Sequence, residues 1–266
     1  MRCSYQAARV LRWLSSGLLL TTVTLSGPSV AATNNRDTSQ PPQNEVHIAR
    51  LIYEPHALSS WGAHRPWWSI DWPEAEAHFT AGVSRLTAID IAPDSRHIRL
   101  QDDAIFDYPW LFVQQVGRWS LDATEAANLR EYLLRGGFML VDDFHGPDQW
   151  QVFRQVMSRV LGEFRIEPLA SDAAVLNIMF ELDQRTAIPG RRHLRLRGSE
   201  VVARMPHSPP RWMGIFDSRQ RLMVAINFNM DMGDAWEHAD DPQYPAPMTS
   251  LAYRFGVNYV IYAMTH

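Results

Sequence analysis

Hydrophobic and polar positions change period most clearly between Leu121 and Val160. In Leu121–Arg135, Ala126, Leu129, Leu133 and Leu134 recur on one helical face, and Ser120 or Asp122 is placed to cap it. Gly136 and Gly137 release that helix. Phe138, Met139, Leu140 and Val141 then form an unbroken apolar run, as in a strand buried on both faces of a parallel sheet. Pro147 suits a first helical turn, and Trp150, Phe153, Val156, Met157 and Val160 return to helical spacing. Helix, strand and helix in this order put Asp142, Asp143 and His145 at the carboxyl end of a parallel strand. In open α/β sheets, ligands bind at that edge.

The same periods predict the flanking elements. Val46–Tyr53 reads as a first strand, Pro73 opens a helix through about Val83, Leu86–Ile91 reads as a second strand and His97–Leu100 as a short third. Trp110–Val116 is another buried strand, and Arg165–Leu169 and Val175–Phe180 are weaker elements. Leu194–Arg197 alternates like an edge strand, and Arg211–Asp217 with Leu222–Asn229 reads as a hairpin. Asp231–Pro247 is polar and acidic, and Thr249–Met264 closes the chain as a helix. The 266 residues suffice for one sizeable α/β domain, over 46–266, with a mostly parallel central sheet.

Composition sets the address. Arg2, Arg9 and Arg12 precede a mostly apolar Trp13–Leu25 and the small residues Ser29 to Ala32, the order of a secretory signal peptide over 1–32, cleaved near Ala31 or Ala32. Its apolar core is too short to span a bilayer; a retained anchor is the alternative. The polar, proline-bearing stretch 33–45 reads as a flexible leader. A periplasmic or secreted location is expected, with no membrane span after cleavage. Cleavage removes three arginines and no acid, taking the formal charge from −4 to −7. It also removes Cys3, the only cysteine, and the chain has no lysine. Thiol nucleophiles, thiolate metal sites and Schiff-base chemistry are therefore excluded, and an acidic exported chain is poorly suited to nucleic acid.

Asp142, Asp143 and His145 are the candidate catalytic residues, because neighbouring carboxylates can share a proton or hold a hard cation, and His145 can add a base. The bland alternative has an aspartate capping the next helix. Asn227, Asn229 and Asp231 alternate with Ile226, Phe228 and Met230 and share one strand face, continuing into Asp234, Trp236 and Glu237 as a candidate ligand-binding strip. An EF-hand is rejected: Met232 stands where its glycine belongs. Crowded acids without lysine need solvent, a cation or arginine, and Arg191, Arg192, Arg195 and Arg197 are the expected partners. Trp61, Trp67, Trp68 and Trp72, around His64, Arg65 and Asp71, form either a sugar-stacking surface or a packed lid. No G-x-S-x-G and no H-E-x-x-H occurs.

Four segments in order, YPWLFVQQVG, LDATEAANLREYLLRGGFMLVDDFHG, INFNMDMGDAWEHADDPQYP and LAYRFGVNYVIYAMTH, resemble the family called domain of unknown function 4159 over approximately Val46 to His266. That resemblance implies the class I glutamine-amidotransferase-like fold, a flavodoxin-like three-layer α/β sandwich shared with trehalose-utilisation-type proteins. It implies a bacterial, export-associated setting but no reaction; a cofactor-independent domain is expected from the absent cysteine and lysine. Where an amidotransferase places its nucleophilic cysteine, this chain has Asp142-Asp143-Phe144-His145, so glutamine hydrolysis is not expected. The first expectation is a binding domain for a cell-envelope carbohydrate or protein. The competing ones are a glycan-directed hydrolase or isomerase using the strand-end carboxylates, and a scaffold of a membrane-associated complex.

Overall fold

The alternation of buried apolar residues on successive strand positions builds a seven-stranded, mostly parallel sheet between two helical layers. A computed structural model describes residues 46–56, 66–182, 185–197, 200–203 and 209–266. The signal peptide and leader expected over 1–45, and Trp61, His64 and Arg65, lie outside the described residues. In chain order the elements are β1 (Ala49–Ile52), β2 (Glu54–Pro55), α1 (Glu74–Leu86), β3 (Arg96–Arg99), β4 (Trp110–Gln114), β5 (Trp119–Ser120), α2 (Ala123–Leu134) and β6 (Phe138–Phe144). They continue with α3 (Gly146–Leu161), β7 (Ile166–Pro168), β8 (Leu194–Arg197), β9 (Glu200–Ala203), β10 (Arg211–Phe216), β11 (Leu222–Phe228), α4 (Met232–Glu237) and α5 (Ala246–Thr265). The large sheet runs β3-β1-β4-β6-β11-β10-β7, with β2/β5 and β8/β9 as separate two-stranded ribbons. β3, β1, β4, β6 and β11 are mutually parallel, and the β10/β11 hairpin adds an antiparallel margin.

Strand β6 occupies the centre, and both of its faces are covered. Phe138 and Leu140 pack with α1, α4 and α5 residues such as Phe79, Trp236 and Phe255, whereas Met139 and Val141 pack with Leu129 and Leu133 of α2 and Phe153 of α3. Helix α2 starts where expected: Asp122 accepts the Glu125 amide and Glu125 returns the bond to the Asp122 amide, a full capping box.

Two expectations are corrected. Leu86–Ile91 is not a second strand: Leu86 ends α1, Thr87 closes the helix by bonding Val83, and only Ile91 touches the sheet, through a bridge to Val46. The acidic stretch after β11 is not a plain loop either, because Asp231 caps the short helix α4 within it.

Candidate functional site

The site begins with a bulge. Val141 pairs with Ile226 and Phe144 with Phe228, so β6 advances three residues while β11 advances two. The extra residue re-aims the chain. Without it Phe144 would share the face of Leu140 and Asp142; with it Phe144 joins the opposite core, beside Phe153 and Phe228. Asp143 sits at the turn with φ +50°, a left-handed conformation that costs a non-glycine residue on the order of 1–3 kcal/mol. Gln115 beyond β4 (φ +54°) and Asn229 beyond β11 (φ +60°) adopt the same conformation. Three adjacent parallel strands thus carry a left-handed polar residue at or just past their carboxyl ends.

The two aspartates lie inside the strand, not beyond it, and both are buried, at 0% and 1% exposure. Their roles differ. Asp142 Oδ2 accepts the amides of Met232 (2.7 Å) and Gly233 (3.0 Å), tying β6 to the first turn of α4; Oδ1 has no partner. Burial, then the charge of Asp143, pushes its carboxyl up to about 7. Asp143 accepts from Gln115 on Oδ2, and from His145 Nε2 (3.0 Å) and Arg192 (3.1 Å) on Oδ1. Burial opposes its charge, but His145, Arg192 and Gln115 together hold the carboxyl below the ordinary aspartate range.

Three further acids converge from elsewhere. Asp71, in the β1–α1 connection with φ +62°, accepts from Gln114 Nε2 at 2.6 Å. Gln114 is itself oriented by Arg50, fully buried, whose guanidinium donates to Gln114 Oε1 (2.7 Å), Glu76, and the carbonyls of Trp68 (2.8 Å) and Ile70 (2.9 Å). Asp231 caps α4 through the Asp234 amide (3.0 Å), and Asp234 accepts the Arg191 amide (2.6 Å). Burial first, then neighbouring acids including Asp234 and Asp143, push Asp71 to about 9 and raise Asp231 well above its usual range. Among the described residues, ligand atoms lie within 4.8 Å of one another in the sets Asp143–His145–Asp231, Asp71–Asp231–Asp234 and Asp234–Glu237–His238.

A family model for a domain of unknown function, DUF4159, matches residues 47–264. The chain belongs to the DUF4159 family. No curated protein matches it.

Of the expected site residues of this DUF4159 chain, Asp142, Asp143, His145, Asp231 and Asp234 meet at the strand ends, and Glu237 flanks them half-buried. The strip through Asn227 does not hold as one face. Asn227 is a core residue, accepting from Tyr259 (3.0 Å) and donating to Met232 sulfur (2.8 Å). Asn229 ties β11 to α3, accepting the Gly146 amide at 2.9 Å. Trp236 is 1% exposed and stacked on Phe79 at 4.2 Å, so it builds the core instead of a rim. Of the aromatic loop, Trp67 is buried beneath Arg118, Trp68 is half-buried, and Trp72 is 44% exposed beside Asp71. Arg191 pairs with Asp241 of the acidic stretch (3.1 Å) as expected, whereas Arg192 bonds Asp143 of β6. Arg195 bonds the carbonyls of Arg192 and Leu194 instead.

The sequence does not single out Gln114 and Gln115, and it places Asp71 with the aromatic loop, not with the acids after β11. The signal was present for the glutamines: WLFV-Gln114-Gln115 repeats the form of FMLV-Asp142-Asp143, and Gln114 pairs with Asp142 across the two strands.

Proposed function

We propose that this DUF4159 chain is an exported domain of flavodoxin-like, class I glutamine-amidotransferase-like architecture that binds a cell-envelope carbohydrate beyond β4, β6 and β11. The observation that carries the reading is Asp143: a buried carboxylate in a strained conformation, joined to solvent by the half-exposed guanidinium of Arg192. Such a pair presents oriented donors and acceptors to a polyol. The parallel strands follow the order second, first, third, fourth, fifth, which supports the flavodoxin-like assignment. Asp143 at the strand-to-helix turn supports a binding member of that fold rather than an amidotransferase. Exposed Trp72 next to Asp71 supports a saccharide, since an indole face stacks on the apolar face of a sugar ring. The basic, apolar and small residues of positions 1–32 support export.

Calorimetric titration with soluble envelope oligosaccharides tests this. Saturable binding is expected, weakened about 10- to 100-fold in Arg192→Ala, the size of a lost charged hydrogen bond. A folded protein that binds none of them removes the carbohydrate reading.

A second reading, a glycan hydrolase, is favoured by the contrast between an acid kept ionised, Asp143, and neighbours pushed up to about 7 and about 9, Asp142 and Asp71. Turnover of a labelled glycan that Asp143→Asn abolishes, with binding retained, would select it.

A further inference from the structure

We propose that the acid cluster at the strand ends binds a hard divalent cation of the Mg²⁺ or Mn²⁺ class through the carboxylates of Asp71, Asp231 and Asp234. Their ligand oxygens lie within 4.8 Å of one another. Each carboxylate is fixed from behind on one oxygen: Asp71 by Gln114, Asp231 by the Asp234 amide and Asp234 by the Arg191 amide. Outer donors of this kind orient metal ligands, and Asp234 is further held by a side-chain hydrogen bond with Glu237. The charge count points the same way. Asp71, Asp142, Asp143, Asp231 and Asp234 lie near one another at the strand ends, and among the described residues Arg192 is the guanidinium paired with one of them, Asp143.

Two buried atoms outside the three carboxylates provide independent observations. His145 belongs with Asp143 and Asp231 in the neighbouring set, is 8% exposed, and has its Nε2 committed to Asp143; its Nδ1 has no partner. Asp142, fully buried in β6 and bonded to the turn that Asp231 caps, leaves Oδ1 without a donor. An unsatisfied nitrogen on a residue grouped with Asp231, and an unsatisfied oxygen on the carboxylate that holds the turn Asp231 caps, are what a cation, directly or through its bound water, would satisfy. Backbone geometry keeps the space clear. A Cβ on Gly190 would lie 2.6 Å from Asp231 Oδ2 and 2.9 Å from Asp234 Oδ2, and one on Gly233 would overlap Asp71 and Gln114. The donor set is oxygen-rich with at most one imidazole and no thiolate, which selects a hard ion over Zn²⁺ or Cu²⁺.

The cation would sit at the same strand ends as the proposed saccharide, but its test uses no saccharide. Chelator-stripped protein is titrated with Mn²⁺ by electron paramagnetic resonance, with Mg²⁺ and Ca²⁺ as competitors. One displaceable Mn²⁺ per chain is expected, with affinity lowered at least about tenfold in Asp71→Asn and Asp231→Asn. Thermal unfolding gives a second readout that does not depend on the Asp231 cap. Metal-free Asp71→Asn should melt above the wild type because one crowded carboxylate is gone, and Mn²⁺ should raise the wild-type midpoint much more than the variant's. The proposal is overturned by a folded wild type with no saturable Mn²⁺ binding. It is equally overturned by binding that survives Asp71→Asn and vanishes in Glu237→Gln, which would place the ion on the half-buried Asp234–Glu237–His238 set. Either result leaves the carbohydrate titration to stand or fall by itself.

Discussion

At the scale of single residues, adjacent aspartates of identical chemistry do different work because a bulge separates their surroundings. Asp142 lies against backbone amides and low-dielectric core; Asp143 lies against a histidine, an arginine and a glutamine. The difference has a pH signature. Unfolded Asp142 releases its proton near 3.8, while the folded residue holds it to about 7. Between those values the native state carries the extra proton, so this residue makes stability fall as pH rises, and the loss levels off above about 7. Asp142→Asn retains an acceptor for the Met232 and Gly233 amides but cannot ionise. Urea midpoints measured in chelator from pH 4 to 7 should therefore decline less steeply in Asp142→Asn than in the wild type; parallel profiles would exclude this role for Asp142. The sequence identified both aspartates as candidates. It could not separate them, because the separation depends on which amides of α4, ninety positions away, approach β6.

Among the elements, β6 and α2 were legible from local pattern alone. Four apolar residues after two glycines, and an Asp122-x-x-Glu125 start, need no tertiary knowledge. Replacing Asp122 by Ala should cost about 1 kcal/mol in chemical denaturation, leaving the strand-end acids in place. A loss near zero would mean that packing alone holds α2. Helix α4 was not legible: six residues in an acid-rich stretch give no periodic stripe, and its cap is visible only as Asp231-x-x-Asp234. The expected strand at Leu86–Ile91 failed for a related reason. Its apolar residues fit either period, and Thr87 settles the matter by closing α1 onto Val83.

For the whole molecule, Arg50 shows how distant segments are joined. It lies in the apolar stretch Ala49–Ile52 of β1 and is fully buried, where its guanidinium links α1 through Glu76, β4 through Gln114 and the Trp68–Ile70 segment beside Asp71. Arg50→Met should destabilise the fold by about 3–5 kcal/mol, the penalty for leaving a buried partner charge unpaired, and Glu76→Gln in the same background should restore part of it. Denaturant midpoints of the single and double variants check this; additive losses would refute the coupling. Among the described residues no helix is long and apolar enough to cross a membrane. The sequence by itself determined the layered α/β plan and the edge at which the acids gather. Hydrophobic period is local, and chain order restricts how parallel strands connect. Only the tertiary structure decided that Asp71 joins Asp231 and Asp234, that Trp236 and Asn227 turn inward, and that Asp143 is the acid kept charged. Those outcomes depend on burial and on hydrogen-bond partners contributed by segments far apart along the chain.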